Sequence, residues 1–461
     1  MKKIFVQKKI LGLLFSVLFA SVSVFAQSSD DDLFMDDDLF MEETTDDTID
    51  SNKAFSKDLL SKGVLFDNGA IKIGGNFNLG LSTLTPLYKE SEKDLGTNIK
   101  NTTLTPDIGS WLYVDARPTQ SLRMYTKFGI KYPFTSSSTT STNWFTLKEL
   151  FSDFNIKERA FFRFGLHTVS WGTGYFFSPV SDIINTSSID PENADEQVDG
   201  CLNLRTQITF NNSQNCLWLY VIPSTDFINN TSFDSYARDI AFAAKGDFVF
   251  GPWELGLGSY YKNENAPKVM FTATGPIFKG KVNIYSEFVY QYGTQTEWSN
   301  NTDWNDKTSV FMATAGFMRI WKTPSITLLG QYYYDSNDSD FNHKYATAGH
   351  NAALALSFGR LFGSTDFSLT LFGLVNFGKY ELTIFDLAMQ GGSFSLLQLA
   401  DSGIDLNTIV EIPCAIFSAL FNYSPIKEIT LGLGPYITFS AWDKAPVVNL
   451  KLQATLGGGK F

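Results

Sequence analysis

Charged side chains in this sequence recur four apart in stretches whose alternate positions are apolar. Arg123, Lys127 and Lys131 interleave with Leu122, Met124, Phe128 and Ile130. Glu149 and Asp153 share one parity in 144–156, and Arg163 and His167 share one in 160–170. In an extended chain an even spacing puts such groups on one face. A tight closure at 118–120 sets Asp115 opposite Arg123, and one at 157–159 sets Asp153 opposite Arg163 and Glu149 opposite His167. Symmetric closure of the loop between them sets Arg123 beside Asp153 and Lys127 beside Glu149. Two rows result, Asp115–Arg123–Asp153–Arg163 and Lys127–Glu149–His167, and opposite charges opposed at about 5 Å attract. Such rows either brace a wall or set the field and width of a water-filled passage. Arg205, Asp239, Lys245, Glu254 and Glu287 are further candidates for the same face.

Catalytic constellations are missing. His167, His343 and His350 lack zinc-ligand spacing, and the three cysteines include no pair with zinc spacing. There is no Gly-x-Ser-x-Gly and no phosphate-binding loop. Cys201 and Cys216 flank a hairpin at positions that suit a disulfide poorly. Asp335, Asn337, Asp338 and Asp340 offer oxygen ligands but lack the glycine and closing glutamate of a calcium loop, so the stretch reads as solvated. The expectation is a non-enzyme with no catalytic residue, no metal site and no cofactor.

Two long segments stand out. After Arg163-Phe-Gly165 comes Trp171-Gly172-Thr-Gly174-Tyr175-Phe-Phe-Ser-Pro179, then Asp182 and Asn185, in a loop over 171–200. Gly172 and Gly174 permit backbone angles that other residues resist, Pro179 and Pro191 stiffen the path, and the aromatics need a surface to pack on. Loops this long are generally functional. The segment 378–413 carries helix-friendly spacing at Phe394–Ala400 and reads as a lid or an inward plug.

The elements that position these groups are strands. From residue 70 onward the dominant period is two, as in Ile71, Ile73, Phe77, Leu79 and Leu81 or Val448, Leu450, Leu452, Ala454 and Leu456. Eighteen strands are predicted: 70–81, 108–117, 121–132, 144–156, 160–170, 201–210, 216–222, 237–248, 253–261, 268–274, 281–292, 308–320, 326–334, 346–358, 366–377, 414–423, 428–439 and 447–456. Their connections are mostly long, then short, in turn. Long strands, an even count and this loop rhythm predict an all-β transmembrane antiparallel barrel of about 18 strands, with 16 the next choice. Its apolar parity faces lipid and its polar parity the lumen. Trp111, Tyr113, Trp144, Trp253, Tyr260, Tyr261, Trp321 and Tyr332 to Tyr334 are placed at strand ends, as an aromatic girdle. A secreted sandwich is the plainer rival, but its strands are shorter.

Composition supports this. Charged residues are 18% and aromatics 15% of 461 residues, against about 25% charged in soluble chains. The net charge of −12 sits largely in one tail: residues 27–50 hold eleven acids and no base. The acidic balance excludes nucleic acid as a partner. Residues 1–26, with Lys2, Lys3, Lys8 and Lys9 before an apolar run and Val24-Phe25-Ala26 at its end, read as a signal peptide. Residues 27–69 form an acidic periplasmic arm, expected to be disordered, with a short helix at 53–62; 70–461 is the barrel. Within the arm Asp30–Met35 repeats as Asp36–Met41. The repeat reads as a solvated spacer or as a bivalent motif for a periplasmic partner.

With these rings, these loops and a terminal Phe461, the chain resembles the outer-membrane β-barrels of double-membraned bacteria. In that family the last strand commonly ends in an aromatic read by the assembly machinery. Phe461 falls on the polar parity of its strand after Gly457-Gly458-Gly459, which a bulge would repair. The Arg163…Trp171-Gly172-Thr-Gly174…Pro179…Asp182 segment looks like one found in large porin-like barrels, including relatives of the alginate-export type. That resemblance implies a loop folded into the barrel; an outer loop packed on its neighbours is the alternative. It also implies a porin-like channel for passive diffusion of small hydrophilic solutes, embedded in outer-membrane lipid. Pore lining falls to Asp115, Arg123, Lys127, Glu149, Asp153, Arg163, His167 and Arg205. The constriction falls to Trp171, Gly172, Gly174, Tyr175, Pro179 and Asp182. A fatty-acid-type transporter and a plugged surface or adhesion barrel are the alternatives.

Overall fold

The computed structural model describes residues 64–89, 94–132, 144–156, 159–192, 197–210, 213–223, 233–337, 349–377, 381–383, 409–411, 414–426 and 428–460. The signal segment, the acidic repeat, residues 133–143, the stretch 394–400, His343 and Phe461 lie outside the described residues.

The alternating stretches form eighteen barrel strands. They are β1 (Ile71–Tyr88), β2 (Thr103–Thr119), β3 (Leu122–Lys131), β4 (Phe145–Ile156), β5 (Ala160–His167), β6 (Cys201–Thr209), β7 (Cys216–Ile222), β8 (Ala241–Phe250) and β9 (Trp253–Lys262). The remainder are β10 (Lys268–Ile277), β11 (Val282–Tyr292), β12 (Ser309–Lys322), β13 (Ser325–Asp335), β14 (Gly349–Phe358), β15 (Phe367–Asn376), β16 (Ala415–Ile426), β17 (Ile429–Phe439) and β18 (Val447–Lys460). Each pairs antiparallel with the next, and β18 pairs back onto β1, from Asn76↔Lys460 to Tyr88↔Val448. The sheet is closed, with eighteen strands rather than sixteen. A two-residue strand, Phe66–Asp67, pairs with Ile73 and Lys72 where β1 runs past the end of β18.

Two stretches differ from the sequence reading. The first hairpin rises further than predicted, so the long connection shrinks to residues 89–102, which hold a helix at Leu95–Lys100 capped by Asp94. β8 begins at Ala241 rather than at 237, because Phe233–Arg238 is helical.

Period two sorts the wall into faces. On β11, Tyr285, Glu287, Val289 and Gln291 are buried, while Phe288 is exposed. Phe271 and Phe311, also exposed, flank Phe288 on the same outer parity. The exterior is therefore a continuous apolar band, as lipid contact requires. Aromatics gather at both rims. Tyr292, Trp298 and Trp304 pack together at one end, and Phe367, Phe421 and Tyr423 stack at the other. Trp111 and Tyr113 do not belong to these girdles. They lie mid-strand on the parity of Asp115, which faces the lumen. The tightest connections, such as 120–121, 251–252 and 323–324, lie at one end, the periplasmic end of a barrel of this kind. A closed antiparallel barrel with an apolar outer band and aromatic rims is an outer-membrane β-barrel.

At the seam, Gly80 pairs with Thr455 and Asn78 with Gly458, so β18 carries one extra residue there. Gly457 has φ 155° in this bulge, a region that an L side chain rarely adopts. The bulge reverses the parity of the residues that follow it.

Candidate functional site

The charge row is present on the inner face of β2–β5. Asp153 pairs in register with Arg123 on one side and Arg163 on the other. Arg163 grips it with Nε at 2.6 Å and Nη2 at 3.0 Å, while Arg123 Nη1 lies 3.5 Å away. Asp115 is opposite Tyr125, not Arg123, because the hairpin closes at 120–121 with Thr119 opposite Leu122, and a one-residue register shift between Ala116 and Thr119 follows. The arginine side chain spans the offset, and its Nε donates to Asp115 Oδ1 at 2.9 Å. Arg117 joins the same carboxylate at 3.4 Å. Asp115, Asp153 and Arg163 are buried, whereas Arg123 and Arg117 keep contact with solvent. Such desolvated charges are tolerable only because each is paired and hydrogen-bonded.

Above the charges runs a row of rings that the sequence reading did not identify. Tyr113 stacks on Tyr125 at 6.1 Å, Tyr125 on Phe151 at 5.1 Å, and Phe151 meets the His167 ring edge-on at 5.9 Å. Arg163 lies 3.8 Å over Phe151 and Arg123 5.1 Å over Tyr125, so rings and guanidiniums hold each other by cation–π attraction. The inward parity of these rings was the available signal. Arg205 faces Arg163 across β5 and β6 and lies over Trp218 at 5.2 Å.

The second row is different. Lys127 and Glu149 are register partners, and the Lys127 ammonium donates to Gln197 Oε1 at 2.5 Å. His167 is wholly buried, its Nδ1 3.2 Å from the Gly165 carbonyl. Neither the row's lysine nor its histidine makes an ion pair among the described residues.

The segment 168–192 packs on inward-facing side chains of distant strands. Glu287 on β11 accepts from the backbone N–H groups of Thr173, Gly174 (2.6 Å) and Val180 (2.9 Å), and from Ser178 Oγ at 2.9 Å. Gln331 on β13 accepts from Tyr175 N at 3.1 Å and Phe176 N at 2.7 Å, while its Nε2 donates to Phe177 O and Thr314 Oγ1. Lys245 on β8 donates to Trp171 O at 2.7 Å. At the loop's far end Tyr436 of β17 donates to Glu192 at 3.1 Å.

Gly172 and Gly174 are needed here for space. Neither has a positive φ. A Cβ on Gly172 would sit 2.6 Å from Glu287 Oε1, and one on Gly174 1.9 Å from Phe177 O. Their bareness lets three backbone donors converge on one carboxylate. Trp171 closes the turn by donating to Val180 O at 2.7 Å, and Asn185 bridges both backbone groups of Val169. Pro179 is buried within the turn, Asp182 is the middle residue of a 3-10 turn over Ser181–Ile183, and Tyr175 meets Tyr285 edge-on at 5.1 Å. Burial pushes the Tyr175 hydroxyl up to about 12, so it stays a neutral donor at physiological pH.

Trp171, Phe176, Phe177, Val180 and Ile184 form one cluster with Tyr220, Met270, Val289, Met312, Tyr333, Leu374 and Ile416. Those partners are inward residues of β7 to β16, so this half of the lumen carries an apolar patch among polar inward groups such as Lys245, Glu287 and Gln331. That corrects, at this patch, the reading of a polar inner face. The alternation rule described only which side a residue takes; it did not anticipate that a loop would give part of the inside a core. Cys201, Cys216 and Cys414 are free thiols, and no cluster of metal-ligating side chains occurs among the described residues.

No family model matches the chain, and no curated protein matches it. Solved structures that share its shape in part include the outer membrane channel DcaP of Acinetobacter baumannii, at 12% identity and a TM-score of 0.42, over 85% of this chain and 98% of that one. Another is Pseudomonas aeruginosa OccK11 (OpdR), at 10% identity and 0.47, over 84% and 95%. A third is OccK8 (OprE) of the same organism, at 9% and 0.46, over 83% and 97%.

Proposed function

We propose that the chain is a channel through which small hydrophilic solutes diffuse passively across the outer membrane. In this reading the 168–192 segment narrows the lumen, and the residues of β2–β6, from Asp115 to Arg205, line what remains. The observation that carries it is the docking of that segment on Glu287 and Gln331, across the barrel from a charged wall that keeps Arg117 and Arg123 wet. A loop held by buried hydrogen bonds sets a fixed width, and half-solvated guanidiniums set a local field. The loop's own rings pack into the apolar patch opposite, which disfavours that patch as a path for a fatty acid.

Purified protein in planar bilayers should give discrete conductance steps, and liposomes carrying it should swell in small sugars but not in large ones. Absence of both would remove the proposal. The loop's contacts with β3 and β17 favour a second reading, a barrel closed by its own loop. That reading expects no conductance until the Glu287 contact is removed.

A further inference from the structure

The lipid-facing wall carries one charge in an apolar groove. The groove is about 480 Å³ and lies where β10, β11, β12 and β13 meet their short turns, between Ile277, Phe278, Ile284, Phe317, Trp321 and Leu328. The registers Ile284↔Phe317, Trp321↔Ile326 and Arg319↔Leu328 put Arg319 on the same outer parity as these side chains. Its guanidinium stacks 4.3 Å over Trp321. Among the described residues it makes no ion pair. Lys279 and Lys281, both exposed, stand in the first of the two turns that frame the groove, and Lys322, also exposed, ends β12 beside the second. Phe278 projects from the first turn at 73% exposure.

A lone cation on a lipid face is costly at the membrane midplane and nearly free at the interface. Arg319 lies four residues before the periplasmic turn at 323–324, near the end of the strand that faces the membrane interface. An arginine is weakly hydrated and presents a planar fork that matches a phosphate, and stacking on Trp321 pre-orients it.

We propose that this groove holds one anionic glycerophospholipid of the periplasmic leaflet. Its phosphate rests on Arg319, the lysines of the turns neutralise its headgroup, and an acyl chain lies between Phe317, Ile284 and Leu328. Charge complementarity selects this occupant over a second copy of the chain, which would bring another Arg319 and three more lysines to the same place.

The test uses full-length protein purified from membranes and native mass spectrometry, after delipidation and addition of phosphatidylglycerol or phosphatidylcholine. One phosphatidylglycerol should remain bound at activation energies that strip phosphatidylcholine. Arg319→Leu should weaken that retention about fivefold, and Arg319→Lys should restore part of it. The heat-modifiable gel shift of the barrel confirms folding of each variant. Equal retention by the leucine variant, equal retention of the zwitterionic lipid, or a dimer cross-linked through the groove would each overturn the proposal.

Discussion

The two walls of the lumen neutralise charge in opposite ways. On β2–β5 each buried carboxylate meets arginines from the neighbouring strand, so the wall is complete in itself. On β11 the carboxylate of Glu287 has no cation among the described residues, and N–H groups of a loop satisfy it instead. The first arrangement stiffens a sheet. The second makes a remote segment part of the wall. A carboxylate whose partners lie on another piece of chain is a latch; one whose partners lie beside it is a brace.

The largest effect should come from Glu287→Leu. It leaves three backbone donors and the Ser178 hydroxyl buried without an acceptor, at about 1–3 kcal/mol each. The segment 168–192 should detach, conductance should rise, and added protease should cut within it, while the barrel keeps its heat-modifiable gel shift. If the loop stays protected, Glu287 is no latch.

Asp153→Ala should act on the other wall. It unpairs the buried Arg163 at a cost of about 3–5 kcal/mol, read as a lower urea midpoint with the loop still docked. Loss of the loop along with wall stability would merge the two walls into one unit. A smaller change, Gly174→Ala, places a methyl group 1.9 Å from Phe177 O. Its cost of about 1–3 kcal/mol should repeat the Glu287 phenotype in weaker form, with no charge altered.

The smallest effect is a control outside both walls. Glu297, in the 293–308 connection, is opposed by burial, but hydrogen bonds from Thr308 and Thr294 outweigh it and hold the carboxyl below its ordinary value. Its folded value is the lower one. The stabilisation is thus complete above the unfolded value of about 4.3 and fades as pH falls through the folded value. Amide protection factors in 293–308 should fall in acid while those of β2–β5 hold, and Thr308→Ala should reduce that pH dependence.

The strands were legible because their cause is local. A half-buried wall needs period two, and period two is written in neighbours such as Val282, Ile284 and Phe288. The Asp153–Arg163 pair was legible for the same reason, since a tight turn determines it, and Arg123–Asp153 followed from symmetric closure of the loop between their strands. Asp115 shows the limit. The hairpin closes at 120–121 rather than about residue 119, a bulge between Ala116 and Thr119 shifts the register once more, and only the length of Arg123 restores the contact. The loop's destination left no periodic trace. Glu287 carried the right parity, but its partners lie 107–114 residues away, and those of Gln331 154–156. Gly172 and Gly174 were recognisable as special, yet the reason they supplied, backbone angle, was not the one the fold uses.

Those separations also impose an order in time. The loop leaves β5 before any of its receptors exist, and each hairpin of the wall can form from adjacent residues alone. Contacts that close long intervals form late, because the chain must first give up the entropy of the interval. The segment 168–192 therefore reaches its final place only after β11 and β13 have formed, since Glu287 and Gln331 hold it there.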